Sequence, residues 1–180
     1  MRRFRWSFSG LFKALRLVAV GLACCTVSAR AAGEAAAFPV VDGLIKADFD
    51  RLAAFKVEPP PFDPKAAPGS EGPSLGKQIP DEIRALDGRK AVVTGFMLPI
   101  KMEGGKVTEL LLMRTQMMCC YGVVPQLNEW ILVRMPKGAL QLMDVPVSFS
   151  GVLRVKELYE NGFLTAIYAL DGDKMLPTKK

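Results

Sequence analysis

KAVVTGFMLPI at residues 90–100 and KVTELLLMR at residues 106–114 are two apolar runs of strand length, with Glu103-Gly104-Gly105 between them. A tight β-hairpin needs two central residues that tolerate positive φ, and Gly104-Gly105 meets this requirement. Asn161-Gly162 is a stronger hairpin signal of the same kind. It separates the runs at residues 146–156 and 162–170. These stretches predict two hairpins in the second half of the chain.

Five strands are predicted in all, at residues 90–100, 106–114, 129–135, 146–156 and 162–170. The fourth run alternates cleanly, because Val147, Phe149, Leu153 and Val155 fall on one face. The continuous apolar run at residues 110–113 predicts a strand that is covered on both faces. We therefore expect a mainly β fold.

Glycines in the middle of strands refine this prediction. Gly95 and Gly151 interrupt two of the runs, and mid-strand glycine commonly marks a bulge or a bend at a barrel corner. The sequence predicts a five-stranded antiparallel small barrel of the oligonucleotide/oligosaccharide-binding (OB) type over residues 80–172. A short helix is expected to begin at Pro80 and end near Leu86.

The segment before this barrel, residues 32–79, is predicted to be a flexible, proline-rich connection. Prolines favour extended polyproline II backbone and remove hydrogen-bond donors. A short docking element is expected at residues 48–56, because Phe49, Leu52 and Phe55 recur every three positions. The prolines of the connection and its end are Pro59, Pro60, Pro61, Pro64, Pro68, Pro73 and Pro80.

The first 31 residues have the layout of a secretory signal peptide: a basic start, an apolar stretch at residues 17–29 and a small-x-small site at Ala29-Arg30-Ala31. We expect export to the periplasm or the extracellular space. A lipoprotein anchored through Cys24 is the alternative, and association with a membrane is expected only in that case.

Removal of this segment changes the charge balance. It carries six of the 24 basic residues and none of the 18 acidic ones, so the mature chain keeps 18 of each and a net charge of zero. A neutral domain without a basic run lacks the charge that nucleic-acid backbones require. Nucleic acid is therefore not an expected partner.

Histidine is absent from the whole chain, which excludes Ser-His-Asp and Cys-His catalysis and any histidine-ligated metal. Cysteine is limited to Cys24 and Cys25 in the signal peptide and to Cys119 and Cys120 in the mature chain. Two adjacent cysteines cannot join distant segments, so the fold must be held by its apolar core.

The stretch between the second and third strands concentrates sulfur atoms, in Met117, Met118, Cys119 and Cys120. Thiolate and thioether ligands select soft ions such as Cu(I), so these four residues are candidate metal ligands. Burial as ordinary apolar filler is the simpler interpretation. A vicinal disulfide, strained and easily reduced, is a third possibility that would make the loop redox-active.

Polar and aromatic residues follow the cysteines, and Tyr121, Asn128, Glu129 and Trp130 form a second candidate site. Asn128 and Trp130 could line a polar pocket beside Glu129; alternatively, Asn128 forms a turn and Trp130 packs on the rim of the core. Glu109, Glu129 and Asp144 are candidate acid/base groups, with solvated surface carboxylates as the plainer interpretation.

The chain resembles a family of exported bacterial proteins that is catalogued as a domain of unknown function, because several stretches match the family in the same order. Many members of the family are lipoproteins. The matching stretches are residues 79–88, 95–99, 107–112 and 119–128 within residues 79–170, and residues 49–55 resemble a further family element. The resemblance implies no established enzyme activity, and some members are associated with transition-metal uptake systems. Many members carry Cys-x-His where this chain has Cys119-Cys120-Tyr121, so the implied zinc site lacks its nitrogen ligand.

The sequence thus predicts an exported, non-enzymatic binding protein whose partner is a protein of an envelope system. A carrier of Cu(I) or zinc that uses the Cys119-Cys120 loop is the alternative, and a soft transition-metal ion is the cofactor that this alternative implies. A thiol-redox protein is the second alternative. The oligomeric state is left open.

Overall fold

Seven β-strands form most of the computed structural model, which describes residues 38–61, 65, 74–117 and 122–176. The strands are β1 (Val40–Val41), β2 (Leu44–Lys46), β3 (Arg89–Glu103), β4 (Lys106–Met113), β5 (Trp130–Ala139), β6 (Pro146–Glu160) and β7 (Phe163–Leu176). Two helices, α1 (Phe49–Leu52) and α2 (Asp81–Arg84), and two 3-10 turns, Gly76–Gln78 and Leu127–Glu129, complete the described elements.

The predicted signal peptide, residues 1–31, lies outside the described residues, and Cys24 with it. All described residues belong to a compact unit that spans residues 35–180. Within the described ranges, no helix is both long enough and apolar enough to cross a membrane.

The strands make one mixed sheet in the order β1-β2-β3-β4-β5-β7-β6, and β3 also pairs with β6. The pairings from β3 through β4, β5, β7 and β6 therefore return to β3. The prediction of a mainly β fold is confirmed. The prediction of five strands, all antiparallel, is wrong, because β2–β3 and β5–β7 are parallel and because β1 and β2 precede the predicted barrel.

Both predicted hairpins are present. Gly104 and Gly105 have φ of 56° and 76° and connect the paired residues Glu103 and Lys106. Asn161 and Gly162, with φ of 50° and 80°, connect Glu160 to Phe163 in the same way. Positive φ at both central positions matches the twist of the flanking strands, which fixes the register of each hairpin.

Close backbone approach explains the two mid-strand glycines. A Cβ on Gly95 would lie 2.6 Å from the carbonyl oxygen of Met113 and 3.0 Å from the ring of Phe49. Gly151 sits at a register shift between β6 and β7, where a Cβ would collide with the backbone of Asp171. Each of these strands therefore has a glycine at a position where a side chain would have no room.

The segment containing the predicted docking element packs on the core. Phe49 and Leu52 of α1 are buried in the same apolar cluster as Val93, Phe149 and Tyr168. The side chain of Asp48 caps the helix by accepting a hydrogen bond from the amide of Arg51 at 3.2 Å. Residues 38–57 thus contribute strands and a helix in a region for which the sequence predicted mainly a flexible connection.

Candidate functional site

A surface groove of about 220 Å³ lies over the strands β4, β5 and β7, between the two hairpins. Its lining comes from all five long strands: Ile100, Glu109, Leu111, Leu132, Glu160, Thr165 and Ala166. We refer to these seven residues as the groove. It is apolar at its floor and carries carboxylates at its rim.

The period-two alternation of the strands produces the apolar floor. Leu110 and Leu112 are fully buried in the core, whereas Leu111 between them faces the other side and is only partly buried. Leu111 is directly opposite Leu132 in the β4–β5 pairing. The two leucines therefore lie side by side, with Leu111 half-buried and Leu132 only 7% exposed.

Charged side chains surround this floor, and most are already paired. The Nε of Arg134 lies 3.4 Å from Oε1 of Glu109, its partner in the β4–β5 register. Lys101 contacts Glu103 at 2.7 Å, and this hydrogen bond, with the charges of Glu103 and Glu109, raises the pKa of Lys101. Within the ranges that the structure describes, Glu160 forms no ion pair.

The groove also borders the part of β7 that precedes its pairing with β5. On the side away from β6, β7 pairs with β5 only from Ala169 to Asp171. Leu164 and Thr165 therefore have no strand partner on that side among the described residues. The indole of Trp130 contributes one contact here, because its Nε1 donates a hydrogen bond to the carbonyl oxygen of Thr165 at 3.1 Å.

A family model described as "Protein of unknown function (DUF3299)" matches residues 76–177. The chain belongs to the DUF3299 family. The matched residues include β3 to β7 and every groove residue, so the groove lies wholly within the family domain. The prediction that the chain is a member of a family of unknown function is confirmed.

A solved DUF3299 structure has the same fold. The crystal structure of a DUF3299 family protein from Pseudomonas aeruginosa PAO1 is 22% identical to this chain, with a TM-score of 0.54. The similarity covers 76% of this chain and 97% of that one. At this identity the likeness concerns the fold alone. A comparison with curated proteins finds no match.

The predicted sulfur site of this DUF3299 chain falls largely outside the described residues, which exclude Met118, Cys119, Cys120 and Tyr121. Met117 is described, and its side chain is 45% exposed. Among the described residues, no group of three or more cysteine or acidic side chains is arranged to hold a metal ion. Metal binding and thiol redox at this loop stay predictions.

The other predicted site residues are brought together by the turn that leads into β5. Asn128 is fully buried, and its Nδ2 donates a hydrogen bond to the carbonyl oxygen of Phe55 at 2.5 Å. Its Oδ1 is also buried, and no group in the described part of the chain donates a hydrogen bond to it. Trp130 begins β5 and is half-buried. Asn128 and Trp130 thus hold neighbouring segments by one hydrogen bond each.

Glu129 belongs to a small ionic cluster. Its carboxylate lies 3.3 Å from Nη1 of Arg114 and also accepts a hydrogen bond from the amide of Gln126 at 2.9 Å. Nη2 of Arg114 reaches Asp50 in α1 at 3.3 Å. Asp144, elsewhere on the surface, accepts a hydrogen bond from Gln116 at 3.1 Å. These contacts give the candidate acid/base groups structural partners.

Sequence reasoning singled out only one groove residue, Glu109. The other members, Ile100, Leu111, Leu132, Glu160, Thr165 and Ala166, were missed. One indication of the groove was available, because the unbroken run Leu110–Met113 places apolar side chains on both faces of β4. The run predicts a strand that is covered on both faces, whereas Leu111 is half-buried and lines the groove.

Proposed function

We propose that this DUF3299 protein is an exported, non-enzymatic binding protein that holds a partner protein of the cell envelope in the groove. The observation that carries the proposal is the groove itself: an apolar floor between two hairpins, with a single unpaired carboxylate within the described residues at its rim. Clefts with these properties are the default sites of binding on small β domains.

The strand order supports a more specific fold interpretation, in which the cycle of pairings from β3 to β7 is an OB-type barrel. In such barrels the second and third strands form the binding face, flanked by the loops that join strands one to two and four to five. Here the corresponding strands are β4 and β5, and the corresponding loops are the two glycine hairpins. The groove occupies that position.

The groove's dimensions favour side chains of a protein over a whole small molecule. Its volume of about 220 Å³ is below the range of roughly 300–1,000 Å³ that is typical of cofactor and drug-sized ligands. Nucleic acid is disfavoured, because the groove has two glutamates and the mature chain has no excess of basic residues.

The polar groups of the groove are more suited to binding than to catalysis. The hydroxyl of Thr165 donates a hydrogen bond to the carbonyl oxygen of Leu158 at 3.0 Å, and Glu109 is paired with Arg134. Glu160 is then the remaining carboxylate of the groove. One carboxylate does not supply the two cooperating groups that acid/base mechanisms of hydrolases generally need.

Site-specific photocrosslinking in intact host cells tests the proposal. A benzophenone amino acid replaces Ile100, which lines the groove and is 55% exposed, or Val124, which does not line it and is 84% exposed. We expect one defined protein adduct at Ile100, absent at Val124 and lost when Leu111 is replaced by glutamate. Equal adducts at both positions, or none at Ile100, would overturn the proposal.

Export is tested on the full-length chain by cell fractionation and by mass determination of the mature N-terminus. We expect cleavage after Ala31 and recovery outside the cytosol. A product that retains residues 1–31 in the cytosol would contradict this part of the proposal.

Anaerobic titration of the mature chain with Cu(I) and Zn(II) separates the proposal from its two alternatives. The binding proposal predicts no stoichiometric metal binding that depends on Cys119. Saturable Cu(I) binding lost in Cys119→Ser would favour the metal carrier instead. A Cys119–Cys120 dithiol that cycles at biological potentials would favour the redox protein.

A further inference from the structure

We infer that the mature chain binds directly to an anionic phospholipid surface, through a face that shares no residue with the groove. This face combines exposed lysines on the outside of β2, β3, β6 and β7 with an apolar loop at its edge, residues 140–145. The sequence predicted contact with a membrane only through a lipid on Cys24. Direct binding would not depend on what the groove holds, so it goes beyond the proposed function.

The strand register brings two distant lysines into one row across the sheet. Lys46 of β2 is paired with Val92 of β3. Val92 is paired with Ser150 of β6, which is paired in turn with Lys174 of β7. Paired residues project from the same face, and neighbouring strands are about 4.8 Å apart, so the Cα atoms of the two lysines are at most about 14 Å apart.

This row lies on the outer side of the sheet and is joined there by a third lysine. Ala91 and Val93 are fully buried, so Val92 between them faces outwards together with its row. Lys90, two residues before Val92, lies on the same side and is exposed, as are the two lysines of the row. Within the described ranges, none of the three lysines forms an ion pair.

Acidic residues near the row do not cancel its charge. Asp171 is paired with Val152 on the same side of the sheet, but its carboxylate is 3.0 Å from Nε of Arg154 and is balanced by it. Asp173 is exposed at the register shift before Lys174. Together with the three lysines, Arg154 and these two carboxylates leave a net charge of +2 on this face. The mature chain as a whole is neutral.

Small hydroxyl side chains lie next to the lysines on this face. Thr94 and Ser148 are paired across β3 and β6, and their hydroxyl oxygens are 2.8 Å apart. Ser150 follows two residues further along β6. Hydroxyl and ammonium groups both donate hydrogen bonds to phosphate oxygens. A phosphodiester headgroup can therefore approach the sheet closely and be held by charge and by hydrogen bonds.

The apolar loop favours a lipid bilayer over a soluble polyanion as the occupant. Pro146, which follows the loop, is paired with Phe96, two residues beyond Thr94, so the loop adjoins the face. Leu140 is 68% exposed, and three further apolar side chains of the loop are also exposed: Leu142, Met143 and Val145. Such side chains gain by leaving water for the boundary of the acyl chains, while nearby lysines remain among the headgroups.

Sedimentation with lipid vesicles tests the proposal on the purified mature chain. The probes are vesicles of phosphatidylcholine alone and vesicles of equal parts of phosphatidylcholine and phosphatidylglycerol. We expect binding only to the anionic vesicles, and we expect added salt to weaken it. Lys46→Glu and Lys174→Glu should each weaken binding by at least about fivefold, because each removes one favourable charge from the membrane surface.

Lys77→Glu is the matched charge reversal. Lys77 is exposed in the turn Gly76–Gln78, which follows Leu75, and the amide of Leu75 bonds Glu157 beyond the face on β6. This variant should bind the anionic vesicles as the unchanged chain does. All three lysines are on the surface, so all three variants are expected to fold, and their urea midpoints verify this.

Tryptophan fluorescence tests whether the loop enters the bilayer. Leu140→Trp should show a shift of its emission to shorter wavelength when anionic vesicles are added, because the indole leaves water. Ile100→Trp, a variant in the groove at a position that is 55% exposed, should show no shift. Trp130 is present in both variants, so its contribution cancels in the comparison.

The results that would overturn the proposal are separate from those that test the groove. Equal binding to both kinds of vesicle, no binding to either, or unchanged binding in Lys46→Glu and Lys174→Glu would overturn it. Binding to polyglutamate as tight as to vesicles, or no spectral shift in Leu140→Trp, would indicate a soluble acidic partner and would also overturn it. The photocrosslinking at Ile100 is unaffected by any of these results.

Discussion

The phenol of Tyr168 in β7 donates a hydrogen bond of 2.9 Å to the backbone carbonyl oxygen of Leu52 in α1. The two residues are 116 positions apart in the sequence. Both residues are fully buried. The hydrogen bond joins the last strand to the helix that precedes the family domain, and it satisfies a carbonyl that has no access to water.

Replacement of Tyr168 by phenylalanine should lower the free energy of unfolding by about 1–3 kcal/mol, because the Leu52 carbonyl loses its partner in a buried place. Urea denaturation of the mature chain measures this. Thr94→Ala is the control, since it removes a hydroxyl that bonds Ser148 on the surface; its effect should stay within about 0.5 kcal/mol. Equal effects of the two variants would contradict the assigned role.

Alkaline pH should destabilise the protein through the same side chain. Burial raises the pKa of Tyr168 well above its ordinary value of 10.0. The folded state therefore holds this proton more tightly than the unfolded state, so the contribution is fully present below pH 10.0 and is lost as the pH rises above it. Tyr168→Phe should show a shallower loss of stability above that pH.

The stability of Tyr168→Phe should still fall to some extent at alkaline pH. Partial burial and the charge of Glu157 also raise the pKa of Tyr159. Urea midpoints measured from neutral pH to above 10.0 provide the comparison. Identical pH slopes for Tyr168→Phe and the unchanged chain would show that Tyr168 does not titrate as described.

Acidic pH should weaken the attachment of residues 74–75 to β6. Partial burial opposes ionisation of Glu157, but hydrogen bonds outweigh it and lower its pKa below 4.5. The donors include the hydroxyl of Ser74 and the amide of Leu75, each at 3.0 Å. Because the folded-state pKa is depressed, the stabilisation is present above pH 4.5 and is lost as the pH falls through the folded value.

Glu157→Gln should therefore lose stability at neutral pH and show a weaker decline on acidification. Acid denaturation curves of the two chains measure the difference. Glu160→Gln on the same strand is the matched control, because Glu160 has no such hydrogen bonds among the described residues. A decline that is equally steep in Glu157→Gln and in the unchanged chain would contradict the prediction.

Substitutions of Asn128 should follow a set order of severity. Asn128→Ala removes the donor to the Phe55 carbonyl and should cost about 1–3 kcal/mol. Asn128→Asp replaces the donor by an acceptor and buries a carboxylate, so it should cost more than Asn128→Ala. Denaturant titration at neutral pH ranks the two variants, and the reverse order would contradict the donor role of Nδ2.

Gly95→Ala should destabilise the protein by about 1–3 kcal/mol, because its Cβ would press on the Met113 carbonyl and on the ring of Phe49. Lys90→Ala, an exposed change in the same strand, is the control. The effect is measured as a shift in the urea midpoint with an unchanged slope. A neutral Gly95→Ala would contradict the assigned role of Gly95, because it would show that the neighbours of β3 leave room for a side chain.

Local patterns were sufficient to predict the five long strands and their two glycine hairpins. Turn residues such as Asn161-Gly162 act through their own φ preferences, and alternation as in Val147 and Phe149 reports one buried face. By contrast, β1 and β2 are two and three residues long, too short to carry a pattern. The parallel pairing of Ile45 with Ala91 depends on tertiary packing.

The site was harder to predict for a related reason. Asn128 lies in a polar-looking turn, and its burial depends on Phe55, 73 positions away. The groove gathers Ile100, Leu111, Leu132 and Ala166 from four strands, and the pairing of those strands sets their proximity. Outward leucines in adjacent strands become informative only when the register between the strands is known.

The pairing of β3 with β6 has a consequence for the order of folding. β3 is synthesised early, but its neighbour β6 begins more than 40 residues after β3 ends. β7 is synthesised after both and must insert between β5 and β6. Nascent chains that stop before Phe163 leave edges of β5 and β6 without a strand neighbour and the Leu52 carbonyl without its Tyr168 donor. Closure of the cycle of pairings and the hydrogen bond to α1 therefore both wait for β7, the last of the described strands.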